Sequence, residues 1–427
     1  MSLDDPYGTQ CGDDMMQRYC QYRTRQIPRD EWRSDVRAFA DAWEDWKGQC
    51  NYIDFLDLID QGLANLDHAP GKPAVIMLDE GQDTGANEMA LLQKWARHAE
   101  HFVIGADYFQ ALYTFRGSDP EVLTRMIESG VKPHVLSQSY RIPRAVHAQA
   151  MRWMRRTGLP PVEYQPRDFE GRVRYGNSSY KHLQEDLPMI EAYIKDGKTV
   201  MIMATCNYML DPVLRVLQEA GIAYHNPWRP NNGRWNPLAP RRGNTFKNRV
   251  MAFLRPSQRL WGEQARFWTV AEIKAWAKAL PVKVAFQPAM KPVVERLSEK
   301  ISDAEIARAL RDWFQPDALQ HILALDADWY CGVAEGGEIS RPFVRQILRK
   351  RGIEALKDTP QTIVGTVHSL KGSEADCVLV YPDISPQAYY GDSATHAELT
   401  RTFYVAVTRA REELILMSEA SPSCVGW

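Results

Sequence analysis

The sequence predicts an α/β protein built on parallel β-sheets, with a mostly helical insertion in its second half. Short continuous apolar runs that end in turn or acidic residues are typical of strands in parallel sheets. Helical segments separate neighbouring runs, and this strand–helix–strand spacing is that of βαβ units. Residues 261–355 carry helical spacing and capping residues in place of such runs. Together these observations predict sheets of crossover-connected strands interrupted by helices.

The composition is that of a globular protein without a strong net charge. Of its 427 residues 44% are apolar and 25% are charged, and the formal net charge is −2. We therefore do not expect a protein that coats nucleic acid through bulk charge, although a local basic segment is compatible with this balance. The chain has no run of ~18 apolar residues that would span a membrane, and residues Met1–Pro6 lack the features of a signal peptide.

Cysteine usage predicts a reducing compartment. The seven cysteines are dispersed, odd in number and without a CxxC pair. This pattern is typical of reduced thiols and indicates neither a disulfide framework nor a zinc site. We therefore expect a cytoplasmic protein that contacts no membrane.

The first 68 residues are acidic, rich in tryptophan and helical in spacing. Apolar side chains recur there at intervals of three and four residues, at Trp32, Val36, Phe39, Trp43 and Trp46. Such a stripe predicts the packing face of a helix, and a base-stacking role is the alternative.

Two apolar runs then predict the first pair of strands. Ala74–Leu78 follows the break at Lys72-Pro73, and His101–Gly105 follows a helical stretch from Glu88 to His98. Because these runs are mainly apolar, we expect strands buried on both faces, as in a parallel sheet.

The same arrangement recurs in the remainder of the chain. The predicted elements are the strand Thr199–Met203, the helix Pro212–Glu219, the segment Gly221–Tyr224 leading into a strand, and the strands Thr362–Gly365, Cys377–Val380 and Leu414–Leu416. The long interval inside this set predicts an insertion in the second sheet.

The insertion begins with a basic stretch. Asn226–Leu260 contains eight Arg or Lys residues and neither Asp nor Glu. It predicts either a path for nucleic-acid phosphates or a solvated linker into the insertion. Beyond it, Thr269 before Glu272 and Ser302 before Glu305 have the spacing of helix N-terminal caps.

An acidic pair ends the first predicted strand, in the segment Leu78–Asp83. Asp79 and Glu80 stand at the carboxyl end of a parallel strand, which is where α/β sheets bind ligands. In a nucleotide hydrolase the first acid holds Mg²⁺ and the second orients or deprotonates the attacking water. The alternative is that the two acids cap a helix.

A second block, Asp107–Gly117, follows the next predicted strand. Gln110 is suited to sensing a γ-phosphate by hydrogen bonding. Tyr113, Phe115 and Arg116 combine rings that stack on unpaired bases with a cation that contacts phosphate. The block therefore predicts both nucleotide sensing and single-strand binding.

These two blocks resemble motifs II and III of the UvrD/Rep-like superfamily 1A DNA helicases, the DExxD and GDxxQxIYxFRG patterns. Three further blocks resemble motifs IV, V and VI in the family's order, and they are Leu136–Arg141, Thr366–Asp376 and Arg401–Arg411. One departure is Ala106, which replaces the glycine usual before the aspartate of motif III and is expected only to stiffen the turn.

The resemblance implies two RecA-like parallel-sheet motor lobes, the first incomplete, with a mostly helical insertion in the second. The implied organisation is a helical remnant of the accessory or first motor lobe at 1–68, the C-terminal part of the first lobe at 69–133, the first segment of the second lobe at 134–225, the basic and helical insertion at 226–355 and the second segment of that lobe at 356–427.

The resemblance also implies roles for individual residues and the cofactors ATP and Mg²⁺. The implied roles are the Mg²⁺ site for Asp79, catalytic acid for Glu80, γ-phosphate contacts for Gln110, Arg141 and Arg409, adenine stacking for Tyr140, ribose binding for Glu374, and DNA contacts for Tyr113, Phe115, Arg116, Thr366 and His368. For an isolated Arg409 the alternative is a solvated helix charge.

The 427 residues contain no phosphate-binding loop of the form G-x-x-x-x-G-K-[ST]. The segment Gly197-Lys198-Thr199 fails because Ala192 replaces the first glycine, and because it follows a helix and opens a strand. We therefore expect the C-terminal part of a helicase, which carries motifs II to VI without motifs I and Ia. A split gene, an intein-type interruption and a truncated gene model are the alternative explanations, and a separate polypeptide with the phosphate-binding loop is the expected partner.

The leading interpretation is an ATP-dependent DNA helicase or translocase acting on single-stranded and duplex-junction DNA. Its 3′→5′ direction is implied by the resemblance alone. The alternative is a catalytically inactive, helicase-derived protein that binds single-stranded nucleic acid or serves as a scaffold.

Overall fold

The computed structural model describes residues 12–156, 163–238, 245–299, 301–337, 340–390 and 396–427. The chain divides into two compact units. Unit 1 consists of Met1–Ser139, Ala150–Gln165 and Ser393–Val405, and unit 2 consists of Tyr140–Gln149, Pro166–Asp392 and Ala406–Trp427. The last two segments of unit 1 come from regions that the sequence analysis assigns to the second lobe.

Within its described residues, unit 1 contains a two-stranded parallel sheet and five α-helices that lie wholly inside the unit. The strands are β1 (Val75–Leu78) and β2 (His101–Ile104), and the helices are α1 (Gly12–Thr24), α2 (Ser34–Cys50), α3 (Phe55–Asn65), α4 (Ala86–Ala96) and α5 (Glu121–Glu128). The strands pair in the register Val75 opposite His101. A further helix, α6 (Arg144–Arg155), contains residues of both units.

The prediction that both strands are buried on both faces is wrong. Ile76 is buried, but its neighbours Val75 and Met77 are exposed, Met77 to 77%, and Val103 of β2 is also exposed. This alternation is that of a strand covered on one face. The apolar runs predict strands correctly, but burial depends on neighbouring layers that cover only one side here.

The helical N-terminal part packs through the predicted stripe. Tyr19, Trp32 and Val36 are buried in one cluster, with Trp43 packed against it. The structure thus confirms a helix packing face, except that Trp46 is 45% exposed and stacks on Trp43 with ring centroids 5.0 Å apart.

Unit 2 contains a six-stranded sheet in which all pairs are parallel. The strands are β3 (Arg172–Tyr175), β4 (Val200–Ala204), β5 (Tyr224–His225), β6 (Thr362–Thr366), β7 (Ala375–Val380) and β8 (Ala410–Leu416). Their order is β3-β8-β7-β4-β6-β5. Every residue of β4 is buried, as its apolar run predicts. Strand β3 was not predicted, because its sequence Arg-Val-Arg-Tyr is charged and lies at the sheet edge.

The helices of unit 2 cover the sheet and form the insertion. They are α7 (Leu187–Lys195), α8 (Leu210–Ala220), α9 (Phe246–Phe253), α10 (Gln258–Trp261), α11 (Val270–Ala277), α12 (Val282–Ala285), α13 (Met290–Glu295), α14 (Asp303–Trp313), α15 (Pro316–Leu323), α16 (Ala327–Val333), α17 (Ser340–Arg351) and α18 (Pro386–Tyr390). Capping boxes at Thr269 and Ser302 begin α11 and α14 as predicted. The last helix, α19 (His396–Val407), contains residues of both units.

The basic stretch Asn226–Leu260 is not a solvated linker. Leu238, Phe246 and Val250 are buried in the core of unit 2, so this segment packs as part of the insertion. Three of its arginines form ion pairs, Arg234 with Asp211, Arg255 with Glu272 and Arg259 with Glu354. Arg241 and Arg242 lie outside the described residues.

The six cysteines in the described ranges are free thiols, and Cys11 lies outside these ranges. Within the same part of the chain, no helix is both long enough and apolar enough to cross a membrane.

Candidate functional site

In unit 1, the two predicted catalytic acids follow the carboxyl end of β1. Both side chains are exposed, and Asp79 Oδ1 accepts a hydrogen bond from the backbone N–H of Glu80 at 2.9 Å. Glu80 has φ 55° and ψ 40°, a left-handed conformation that costs a non-glycine residue about 1–3 kcal/mol. The Glu80 side chain makes no capping hydrogen bond to the short helical turn Gly81–Asp83. The acids therefore lie at the sheet edge in a strained turn.

A buried glutamine connects this acid pair to the next strand. Gln82 is fully buried, its Nε2 donates to the carboxylate of Glu80, and its Oε1 accepts from the backbone N–H of Asp107 at 2.9 Å. Gln82 is not among the site residues predicted from the sequence. The position of Gln82 inside the motif II block is the only sequence feature that points to a role for it. Its burial could not be predicted, because it depends on how the loop after β2 packs.

The predicted phosphate-sensing glutamine lies on the same network. Gln110 Nε2 donates to Asp107 Oδ2 at 2.7 Å, and the other carboxylate oxygen accepts from the N–H of Phe109 at 2.9 Å. The Asp107 carboxylate therefore both caps the short helical turn and orients the Gln110 side chain. Ala106 has a negative φ, so alanine replaces the usual glycine here without backbone strain.

The three predicted DNA-contacting residues of this block lie together. The guanidinium of Arg116 lies 5.1 Å from the ring centroid of Tyr113 and 5.7 Å from that of Phe115. The two rings are 6.2 Å apart, and Phe115 is 41% exposed. An exposed ring beside a cation is the combination that binds single strands.

Helix α1 supports this aromatic turn. Gln21 Nε2 donates to the carbonyl of Phe115 at 2.6 Å. Gly117 has φ 102°, and a Cβ there would lie 2.9 Å from the Thr24 side chain. The close approach requires glycine, so the N-terminal helix fixes the position of the turn that carries Phe115.

A second set of contacts joins the motif III block to α19 within unit 1. The guanidinium of Arg401 lies 4.3 Å from the ring centroid of Tyr108 and donates to its hydroxyl, which donates in turn to Glu121 at 2.9 Å. Burial and the hydrogen bond to Glu121 raise the pKa of Tyr108 above its ordinary value. Thr114 also donates to Glu398. Neither Arg401 nor Tyr108 is among the site residues predicted from the sequence.

In unit 2, two of the predicted nucleotide-binding residues contact each other. Arg141 Nε and Glu374 Oε2 are 2.5 Å apart, and Arg411 lies 3.4 Å from the other oxygen of Glu374. Tyr140, predicted to stack on adenine, is 84% exposed. The structure thus places Arg141 and Glu374 together and leaves the ring of Tyr140 open to solvent.

Arg409 is not a solvated helix charge. It follows the end of α19, is only 2% exposed, and donates to Thr408 Oγ1 at 3.1 Å. The backbone carbonyl of the same residue accepts from the N–H of Ala375 at 3.1 Å. Burying a guanidinium is costly unless it is hydrogen-bonded, and the bond to Thr408 meets part of this requirement.

The two motif V residues predicted to contact DNA differ in exposure. Thr366, the last residue of β6, is 8% exposed, and its hydroxyl accepts from the N–H of Ser369 at 3.3 Å. His368 is half-buried in the following turn. The Thr366 hydroxyl therefore makes a hydrogen bond within the turn, whereas the His368 side chain lies nearer the surface.

The donor set at Asp79 fits a magnesium ion bound with a phosphate. Mg²⁺ is usually held by one or two carboxylates, with substrate oxygens and water completing its shell. Asp79 and Glu80 supply two exposed carboxylates at one sheet edge. Among the residues that the structure describes, no cluster of three or more His, Cys, Asp or Glu side chains is arranged to hold a metal by itself.

Two regions of the chain match models of known protein domains. Residues 13–129 match the UvrD/REP helicase N-terminal domain, and residues 362–417 match the UvrD-like helicase C-terminal domain. The first match contains Asp79, Glu80 and Gln110, and the second contains His368 and Arg409. No curated protein matches the chain. The N-terminal and C-terminal domain matches, which stand in the expected order, show that these two regions are similar to UvrD/Rep-like helicases and support that resemblance for the chain.

Proposed function

We propose that this chain is the motif II to VI part of an ATP-dependent DNA translocase. Its main support is the hydrogen-bond chain of unit 1 that runs from Glu80 through Gln82 and Asp107 to Gln110. This chain joins the acid pair to a glutamine that stands three residues before Tyr113, at the start of the exposed aromatic turn. Nucleotide-sensing and base-stacking groups are thereby carried on one continuous segment.

The residues of unit 1 suit phosphoryl transfer to water. Asp79 would hold Mg²⁺, which when bound neutralises negative charge on the phosphate oxygens. Glu80 orients the attacking water and accepts its proton, and Gln110 hydrogen-bonds the γ-phosphate. The buried amide of Gln82 holds the Glu80 carboxylate in place and restricts its rotation.

The residues of unit 2 are proposed to bind nucleotide as well. Tyr140 stacks on adenine, Glu374 binds the ribose hydroxyls, and Arg141 and Arg409 contact the γ-phosphate. Because Arg141 and Glu374 pair with each other, nucleotide must replace this ion pair. The cost is small, since both side chains are more than a third exposed and surface pairs contribute about 0–1 kcal/mol.

The proposed substrate is single-stranded or duplex-junction DNA in the cytoplasm, followed in the 3′→5′ direction. Tyr113, Phe115, Arg116, Thr366 and His368 are the proposed contacts. The phosphate-binding loop, which is not found in these 427 residues, is proposed to come from a separate polypeptide.

Steady-state ATP hydrolysis with Mg²⁺ and oligothymidylate tests this function. We expect DNA-stimulated hydrolysis when the chain is mixed with a loop-bearing polypeptide encoded beside its gene, and a loss of at least about 100-fold in Glu80→Gln. The control is DNA binding by Glu80→Gln, which should match that of the wild type. Hydrolysis by the chain alone would overturn the need for a second polypeptide, and hydrolysis unaffected by Glu80→Gln would overturn the catalytic assignment.

The second candidate is a catalytically inactive protein that binds single-stranded nucleic acid. The Arg141–Glu374 ion pair favours it, because each side chain satisfies the charge of the other without nucleotide. Equilibrium binding of a fluorescent ATP analogue to the mixture separates the two candidates. Binding of oligothymidylate without nucleotide binding would support the inactive protein.

A further inference from the structure

The turn that follows β5 presents an exposed tryptophan. In the segment Asn226–Asn236, here called the Trp228 turn, the side chain of Trp228 is 71% exposed. Prolines at 227 and 230 flank Trp228 and Arg229 and restrict the backbone on both sides. An indole this exposed on a short, proline-bounded turn contributes little to the core of unit 2.

Two buried asparagines hold the Trp228 turn in one conformation. Asn226 Oδ1 accepts from the N–H of Trp228 at 3.0 Å, and the N–H of Asn226 donates to Asn236 Oδ1 at 3.0 Å. Asn236 Nδ2 donates back to the Asn226 carbonyl at 3.1 Å and to the Arg229 carbonyl at 2.5 Å. Because these hydrogen bonds fix the turn before any ligand arrives, binding costs little conformational entropy there.

The same asparagine attaches the turn to the motif V segment. Asn226 Nδ2 donates to the Val364 carbonyl at 2.9 Å and to Ser369 Oγ at 3.3 Å. A Cβ at Gly365 would lie 2.5 Å from that nitrogen, so the close packing requires glycine. Strands β5 and β6 are parallel neighbours, and Trp228 and His368 therefore follow carboxyl ends at one edge of the sheet.

A cation follows Trp228 in the sequence and lies against a different ring, which is buried. The guanidinium of Arg229 lies 5.1 Å from the ring centroid of the buried Trp235, and no acidic side chain of the described residues pairs with it. Arg234, by contrast, is neutralised by Asp211. An exposed indole, followed in the same turn by an arginine that no described acidic side chain neutralises, is complementary to a base and its phosphate.

We propose that the Trp228 turn is a contact site for single-stranded nucleic acid, in which Trp228 stacks on one base and Arg229 contacts a phosphate. This site adds to the contact predicted for His368 at the same sheet edge. The inference rests on the proposed function, because the ligand is the strand on which the translocase moves.

Fluorescence anisotropy of labelled oligothymidylate titrated with the full chain tests the site. Trp228→Ala should weaken binding roughly tenfold, as expected for the loss of one stacked base, and Trp228→Phe should restore most of the affinity. Arg229→Gln should reduce the slope of log affinity against log salt by about one. The matched control is Tyr175→Ala, since Tyr175 is 65% exposed on the opposite edge strand of the same sheet.

The outcomes separate this inference from the proposed function. If the wild type binds no oligothymidylate, the proposed function itself fails. If the wild type binds and Trp228→Ala binds equally well, only the Trp228 site is overturned. Equal losses in Trp228→Ala and Tyr175→Ala would also overturn it. Circular dichroism melting establishes that each variant is folded, and Arg229→Gln tests the site with the indole in place.

Discussion

At the scale of single residues, the amide of Gln82 joins two motifs of unit 1. It contacts the Glu80 side chain and the Asp107 backbone while fully buried. Buried polar groups left without a partner cost more than the hydrogen bond contributes when made. The residue is therefore structurally important whether or not the chain hydrolyses ATP.

Replacing Gln82 tests this directly. Gln82→Ala should lower the free energy of unfolding of unit 1 by about 1–3 kcal/mol, because the N–H of Asp107 loses its buried acceptor. Urea titration followed by circular dichroism measures the change. The control is Gln93→Ala on the exposed side of α4, where a change within about 0.5 kcal/mol is expected. Equal effects in the two variants would contradict the structural role of Gln82.

Phe115 is the exposed ring of the aromatic turn, so its loss should appear in DNA affinity. Phe115→Ala should weaken single-strand binding by roughly 1–3 kcal/mol, the loss of one stacked base. Fluorescence anisotropy titration with oligothymidylate measures this change in binding free energy. Tyr52→Ala, another exposed aromatic of unit 1, serves as the control, and an unchanged affinity for Phe115→Ala would remove this residue from the DNA path.

At the scale of elements, three helices of unit 1 are joined by a compact set of charges. Lys47 of α2 is buried and lies 2.6 Å from Asp54 and 2.5 Å from Asp57. Arg23 of α1 lies 2.9 Å from Asp57 as well. Asp54 and Asp57 also form the capping box that begins α3. The same two carboxylates thus cap the N-terminus of α3 and form ion pairs with α1 and α2.

This arrangement predicts an acid-dependent loss of stability. Burial opposes ionisation of Asp57, but Lys47 and Arg23 outweigh it and hold its pKa below the ordinary value of 3.8. A carboxyl whose pKa is lowered on folding stabilises the fold above its unfolded pKa, and that stability is lost as the pH falls through the folded pKa. The free energy of unfolding should therefore decrease between about pH 5 and pH 2.

Urea titrations across this pH range measure the effect. Asp57→Asn should flatten the pH dependence, because the amide does not ionise, and should lower stability at neutral pH. Asp45→Asn on the exposed side of α2 is the control and should retain the wild-type slope. If the free energy of unfolding of Asp57→Asn depended on pH as that of the wild type does, Asp57 would not govern acid unfolding.

At the scale of the whole molecule, the sequence predicts secondary structure better than it predicts which residues are buried and which residues contact each other. The buried strands β4, β6, β7 and β8 are recognisable because local apolar runs encode them. Exposure of Met77 could not be predicted, because it depends on which layers cover β1. The Arg141–Glu374 pair was also missed, since residues so distant in sequence meet only through the sheet order. The roles assigned by resemblance to these residues, and to Thr366 and His368, remain predictions.

The strand order of unit 2 has a consequence for how the protein is made. Strand β4 ends at Ala204, but both of its neighbours, β6 and β7, begin at or after Thr362. During synthesis β4, which is buried along its whole length, can therefore pair with neither of these neighbours until the insertion between β5 and β6 has been made. Such distant pairings form slowly and leave apolar strands exposed to aggregation. The insertion shares one hydrophobic core with the sheet, so the two are expected to complete their packing together once β6 and β7 have been made.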